Sequence, residues 1–74
     1  MDKAAQDEAK RRFGARLRTL RKARKMSQEA VALAAGLDRS YLGRIERGEV
    51  NVSLVNIERI AAAIGVGVRE LFAD

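Results

Sequence analysis

Cysteine, histidine, proline and tryptophan are all missing from this chain of 74 residues, which has one tyrosine and two phenylalanines. Without cysteine there is no disulfide and no thiolate zinc site. Without histidine there is neither an imidazole ligand nor the commonest general base. The remaining carboxylates do not cluster in the pattern of a calcium loop. No nucleophile stands with a base to activate it. The expectation is therefore no catalytic residue, no metal and no cofactor: a binding protein, not an enzyme. No apolar run approaches the ~20 residues of a membrane span, and the N-terminus lacks the apolar centre of a signal peptide. The expected location is the cytoplasm, with no membrane partner. In that setting the glycosylation-like triplet Asn51-Val52-Ser53 is a coincidence of sequence.

What is plentiful is alanine, leucine, arginine and glutamate, a mixture that favours helix throughout. The length suits one domain, close to the size at which a single core only just stabilises a fold. The net charge of +5 is unevenly placed. Residues 10–25, KRRFGARLRTLRKARK, hold nine Lys/Arg and no acid, whereas residues 51–74 hold Glu58, Glu70 and Asp74 against Arg59 and Arg69. One basic end and one slightly acidic end point to a polyanion on one side only. A basic amphipathic helix can also lie on an anionic membrane, but Phe13, Leu17, Leu20 and Met26 are few and fit a core stripe better.

Five helices can be placed. The first is expected to begin within residues 4–9 and to run to about Arg24, with residues 1–5 frayed and Asp2, Asp7 and Glu8 suiting its dipole. Ser27 is a good N-cap for a second helix of about 28–35, with Val31 and Ala34 inward and Gly36 as its stop. Asp38 is placed to cap a third helix of about 39–46, which Gly48 ends. Two short helices joined through a glycine turn make the helix-turn-helix pattern. Ser53 caps a fourth helix of about 54–64, ended by Gly65, and a short fifth of about 68–72 follows Gly67. The fold class is all-α, a compact five-helix domain. No internal repeat or linker divides it.

The third helix has two kinds of side chain. In LDRSYLGRIERGE, residues 37–49, the apolar Leu37, Tyr41, Leu42 and Ile45 recur at helical spacing. With Leu42 and Ile45 inward, a rotation of about 100° per residue leaves Arg39, Ser40, Gly43, Arg44 and Arg47 outside. A major groove about 12 Å wide admits one helix, and arginine can donate two hydrogen bonds to guanine O6 and N7. Arg39 stands at the helix N-terminus, where recognition helices enter the groove and where a cation otherwise opposes the dipole. Base contact is assigned to Arg39, Ser40 and Arg44, and phosphate contact to Arg47. Gly43 has two readings: close approach of the backbone to DNA, or crowding against a neighbouring turn. Ser27 and Gln28 begin the second helix, where free N–H groups favour an anion; they are read as a phosphate clamp, and Ser27 equally as a plain cap. Glu46 would repel phosphate unless turned inward, and Arg21 of the first helix is its expected partner.

Residues 13–72 resemble the Cro/C1-type helix-turn-helix family over nearly the whole chain. The resemblance is carried by FGARLRTLRKARKMSQEAVALAAGL, RSYLGRIERGE and NVSLVNIERIAAAIGVGVRELF, and within them by SQE, the step from Ala32 to Gly36, IERG and the ELF tail. It implies a lambda-repressor-like domain over 13–74, preceded by an N-terminal extension of helix 1 over residues 1–12, with helix 3 reading DNA and an Arg21–Glu46 pair. The small size and the segment GLDRSYLGRIERGEVNVSL look like the controller proteins of restriction–modification systems. Those are dimeric regulators that activate at low operator occupancy and repress when a second dimer binds. The resemblance puts base reading on Arg39 and Ser40 with Tyr41 and Gly43 beside them, and phosphate contact on Gln28 and Asn51. Val50 departs from it, standing where such proteins often have a basic residue.

Helices 4 and 5 carry more aliphatic surface than one face of a small domain buries, and such a patch marks an interface. Val55, Ile60, Val66, Val68, Leu71 and Phe72 are expected at a two-fold dimer contact, with core placement the other reading of Leu71 and Phe72. Two recognition helices about 34 Å apart would then read a near-palindrome. The partners expected are a double-stranded DNA operator, a second copy of the chain, a second dimer on a paired site, and RNA polymerase. The alternatives are a phage-type repressor or an antitoxin and, from another class, a protein–protein adaptor on the same fold.

Overall fold

Asp2 fixes the start of the first helix: its Oδ1 accepts from the Ala5 N–H at 2.8 Å. A computed structural model of the chain describes residues 1–73; Asp74, counted above among the C-terminal acids, lies outside the described residues. Four α-helices follow one another: α1 (Lys3–Ala23), α2 (Gln28–Ala35), α3 (Arg39–Glu46) and α4 (Leu54–Ile64). A 3₁₀ helix (Val68–Phe72) closes the chain. The described residues form no strand. Because Asp2 supplies the cap, α1 begins a little earlier than expected, and residues 3–5 are helical. The extension over residues 3–12 continues α1 without a break.

The expected fifth α-helix is a 3₁₀ helix instead. Five residues are too few to satisfy an i→i−4 ladder, whereas i→i+3 bonds close sooner. The Glu70 N–H donates to the Gly67 carbonyl at 3.0 Å, and the Glu70 carboxylate accepts from the Gly67 N–H at 3.0 Å. The α2 stripe is also corrected. Val31, Ala32 and Ala35 are buried and Ala34 is exposed, since Ala34 lies about 100° round the helix from the middle of that stripe.

One core unites all five elements: Phe13 and Leu17 of α1, Val31 and Ala32 of α2, Leu42 and Ile45 of α3, Ile60, Ala61 and Ile64 of α4, and Leu71 of the 3₁₀ helix. Burying each large aliphatic side chain stabilises by about 1.5–3 kcal/mol. Arg16 of α1 and Arg24, just past its end, tie down the far end. Arg16 Nε donates to the Glu70 carbonyl at 2.8 Å, and Arg24 Nη1 to the Ile64 carbonyl at 3.1 Å.

The crossing of α1 and α3 positions the candidate site. A Cβ at Gly14 would run into the Ile45 carbonyl and stand 2.6 Å from the Glu46 carbonyl oxygen. A Cβ at Gly48 would stand 2.7–2.9 Å from Arg11 atoms, backbone among them. Helix α1 therefore touches the end of α3 backbone to backbone, and side chains on that flank of α1 lie level with the end of α3.

Candidate nucleic-acid interface

The turn between α2 and α3 is set locally. Ser27 Oγ accepts from the Ala30 N–H at 3.0 Å and caps α2. Gly36 takes a left-handed conformation, φ 71°, and lets the Leu37 N–H return to the Ala32 carbonyl at 2.8 Å. Leu37 is half-buried against the core. Asp38 stands at the N-cap of α3 with extended backbone, but its carboxylate accepts no hydrogen bond from the helix. The capping expected of it is not made.

Leu42 and Ile45 are buried, while Arg39, Ser40, Arg44 and Arg47 are exposed along one side of α3. Gly43 and Tyr41, expected with them, are placed differently. Gly43 is buried beneath the ends of Gln28 and Arg47; a Cβ there would meet Arg47 Nη1 at 3.4 Å and Gln28 Oε1 at 3.5 Å, ordinary contact distances. Tyr41 is half-buried towards α4, and its hydroxyl accepts from Asn56 Nδ2 at 3.2 Å. It is not on the exposed face with Arg39 and Ser40.

Behind that face, Arg21 and Glu46 form a two-pronged ion pair: Nε to Oε2 at 2.6 Å and Nη2 to Oε1 at 3.0 Å. Their side chains are only 10% and 3% exposed. Arg21 Nη1 also donates to the Met26 carbonyl at 2.9 Å, holding the segment between α1 and α2. Burial pushes the Glu46 carboxyl up. The hydrogen bonds from Arg21 and Gln28, with the charges of Arg21 and Arg18, outweigh it, so the group sits below the ordinary glutamate value. Gln28 Nε2 donates to Glu46 Oε1 at 3.0 Å, and Gln28 Oε1 accepts from Arg39 Nη1 at 3.1 Å. Four residues thus run in one chain of bonds from the interior to the exposed tip of α3.

Of the four residues assigned to phosphate, Ser27 is exposed but used as a cap, and Gln28 turns inward to this network. Arg47 donates from Nε to Glu49 Oε2 at 2.6 Å, and Arg44 lies 3.9 Å from the same carboxylate. The hydrogen bond from Arg47 holds the Glu49 carboxyl below its ordinary value. Asn51 is exposed beyond α3, beside Lys10 of α1. Val50 is half-buried and lines, with Phe13, Ile57 and Phe72, an apolar cavity of about 160 Å³. Its aliphatic side chain serves packing there.

The residues expected at a dimer contact divide. Ile60 and Leu71 are fully buried within the chain and have no surface to offer a second copy, which corrects that expectation. Val55 and Phe72 are 60% and 59% exposed, Val66 and Val68 half-buried. Leu54, absent from the expected set, is 73% exposed beside Val55. Gly14 was also absent. The available signal was a glycine inside a helix, next to the core residue Phe13, where only close approach of another backbone rewards it.

The family model described as Helix-turn-helix matches residues 17–71. The control protein C.MunI of Mycoplasma sp is 48% identical over 69 residues, which cover 92% of this chain and 93% of that protein. The control protein C.BamHI of Bacillus amyloliquefaciens is 47% identical over 60 residues, 80% of this chain and 74% of the relative. Among solved structures, the restriction-modification controller protein C.AhdI from Aeromonas hydrophila superposes with a TM-score of 0.86 at 54% identity. It covers 88% of this chain, and 98% of its own chain is matched.

Proposed function

This chain belongs to the helix-turn-helix family, and from that premise we propose that it is a transcription regulator controlling a restriction–modification system, bound as a dimer to a near-palindromic operator. The observation that carries the reading is the division of α3. Leu42 and Ile45 anchor it, while Arg39, Ser40, Arg44 and Arg47 are exposed together on its outer side. Such a helix fits a major groove, with arginine able to reach guanine O6 and N7. Arg39, held by Gln28, and Ser40 read bases at the helix tip; Arg44 reads further along. Arg47 and Asn51 meet phosphate at the edge of the groove, and Ser27 at the start of α2 meets it at the other edge. Gly43 lets the helix backbone lie close to the DNA. No metal or cofactor takes part, and the DNA it serves is cytoplasmic.

The dimer uses Val55, Phe72, Val66 and Val68, with Leu54 added. Its two recognition helices lie about 34 Å apart in successive major grooves. Similarity to controller proteins supports a circuit in which one dimer activates and a second, on a paired site, represses, with RNA polymerase as the further partner. A titration of the protein against its own upstream DNA and against random duplex of equal length, at several salt concentrations, tests the reading. Preference for a palindromic site is expected. Equal affinity for both duplexes at every salt concentration overturns it.

A further inference from the structure

We infer that the flank of α1 carrying Arg11, Arg18 and Lys22 is a second phosphate-binding surface, which takes the DNA backbone beside the groove that α3 enters. This rests on the DNA-binding reading above and extends the interface beyond the two helices of the motif. The three residues fall within about 40° on one side of α1 and span about 16 Å along it. All three are exposed. Arg11 has one surface partner, Glu8 at 3.3 Å, whereas Arg18 and Lys22 form no ion pair among the described residues.

The position of this stripe follows from two glycines. Gly14 lets α1 pack directly on the last carbonyls of α3, and Gly48, just past α3, packs against Arg11, so Arg11 and Arg18 stand level with the end of α3. Arg18 is close enough for its charge to act on Glu46 of α3. A helix seated in the major groove leaves its end near the phosphates of the groove wall, and those phosphates are the polyanion that this row of cations, paired only at Arg11, fits. Arg12 is a control within the same helix. It is exposed about 100° further round, on the side where Arg16 is tied to the 3₁₀ helix.

The test compares wild type, the double variant R18Q/K22Q and the control R12Q/R69Q, each titrated against upstream duplex and random duplex from low to moderate salt. Each lost phosphate contact lowers the slope of log K against log salt by about 0.9. Both copies of the dimer lose two contacts, so R18Q/K22Q is expected to lose about 3.6 in slope and to weaken both duplexes by the same factor, with unchanged thermal unfolding. R12Q/R69Q, which removes equal charge, is expected to keep the wild-type slope. A wild-type slope in R18Q/K22Q overturns the inference, as does an equal loss in the control, which would reduce the effect to net charge. Weakening on the upstream duplex alone also overturns it, because phosphate contacts do not choose sequence. Absence of operator preference in the wild type overturns the regulator reading instead, so the two failures are separable.

Discussion

Gln28 donates to Glu46 across the junction of α2 and α3, Nε2 to Oε1 at 3.0 Å, and its other amide atom accepts from Arg39 at 3.1 Å. Glu46 is also the partner of Arg21, so the rotamer of the exposed Arg39 is linked to a buried charge on the far side of α3. The ion pair therefore has two effects. It pins α3 to α1, and it steadies the amide that in turn steadies Arg39.

Removing one member of such a pair leaves the other charge buried without compensation. Glu46→Ala should cost about 3–5 kcal/mol, visible as a large fall in the midpoint of thermal or urea unfolding. Unchanged stability would show that the 2.6 Å contact carries no net energy. Replacing both residues together with apolar ones, as in R21M/E46L, should recover part of the loss, because the isolated charge is then gone.

The same carboxylate makes stability fall in acid. The folded-state pKa of Glu46 lies below its ordinary value, so folding favours the ionised form. Its contribution is complete above the unfolded value, about 4.3, and is lost as pH falls through the lower folded value, because the unfolded chain then binds more protons. Chemical unfolding from pH 7 down to pH 3 should show the decline beginning below about 4.3. Glu46→Gln should have a shallower decline, with the remainder from Asp7 and Glu49, whose shifts have the same sign. Identical pH profiles for the variant and the wild type would contradict this.

Much of this arrangement was legible in the residues, and the gaps have physical causes. An acid among the arginines of α3 is expected to turn inward to a cation, and the family resemblance implies the same partner, Arg21, that the sequence reading proposed. The buried face of α3 follows from periodicity. Gln28 as the link between Glu46 and Arg39 did not, because a neutral amide has no sequence signature that distinguishes solvent from a network. The ends were misjudged for local reasons: Asp2 caps α1 where fraying was expected, and Asp38 leaves α3 uncapped. Periodicity could place Ile60 and Leu71 on an apolar stripe, but only packing decides which side of that stripe faces inward.

Two glycines inside helices should respond with opposite sign. At Gly14 a Cβ runs into the carbonyls of Ile45 and Glu46, so Gly14→Ala has to push α1 from α3 and should destabilise by about 1–3 kcal/mol as an overpacked site. At Gly43 a Cβ meets only the ends of two flexible side chains at 3.4 Å and beyond. Gly43→Ala should therefore gain up to about 1 kcal/mol of stability from helix propensity. The fold does not need a glycine there. If close approach to DNA does, the stabler variant should bind operator more weakly, and a stabler variant with undiminished affinity would remove Gly43 from the interface.

Arg39 and Gln28 should be separable by specificity. On the proposed reading, Arg39→Ala removes a base contact and should cost about 1–3 kcal/mol on the operator while relaxing preference at one position. Gln28→Ala leaves Arg39 present but unheld and removes one hydrogen bond from Glu46. It should weaken binding less, with preference at that position reduced but retained, and should lower stability modestly. Full retention of preference in Arg39→Ala on a panel of operator variants would rule out base reading by that arginine.

The apolar surface at the start of α4 should separate assembly from folding. Val55 is 60% exposed and Leu54 73%, so a charge at either disturbs little within one chain. Val55→Glu should thus leave helix content and unfolding midpoint near wild type, yet shift the sedimentation mass from dimer to monomer. Operator binding should become weaker and depend more steeply on protein concentration, since two half-sites are then read by separate chains. Ile60, on the same helix, is fully buried. Ile60→Ala should instead cost about 2–5 kcal/mol of folding stability through the cavity it leaves, with no preferential effect on association of the folded fraction. A dimer that persists in both Val55→Glu and Leu54→Glu would place the contact on another face, with the exposed ring of Phe72, tilted against Phe13 at a centroid distance of 5.3 Å, the next position to charge.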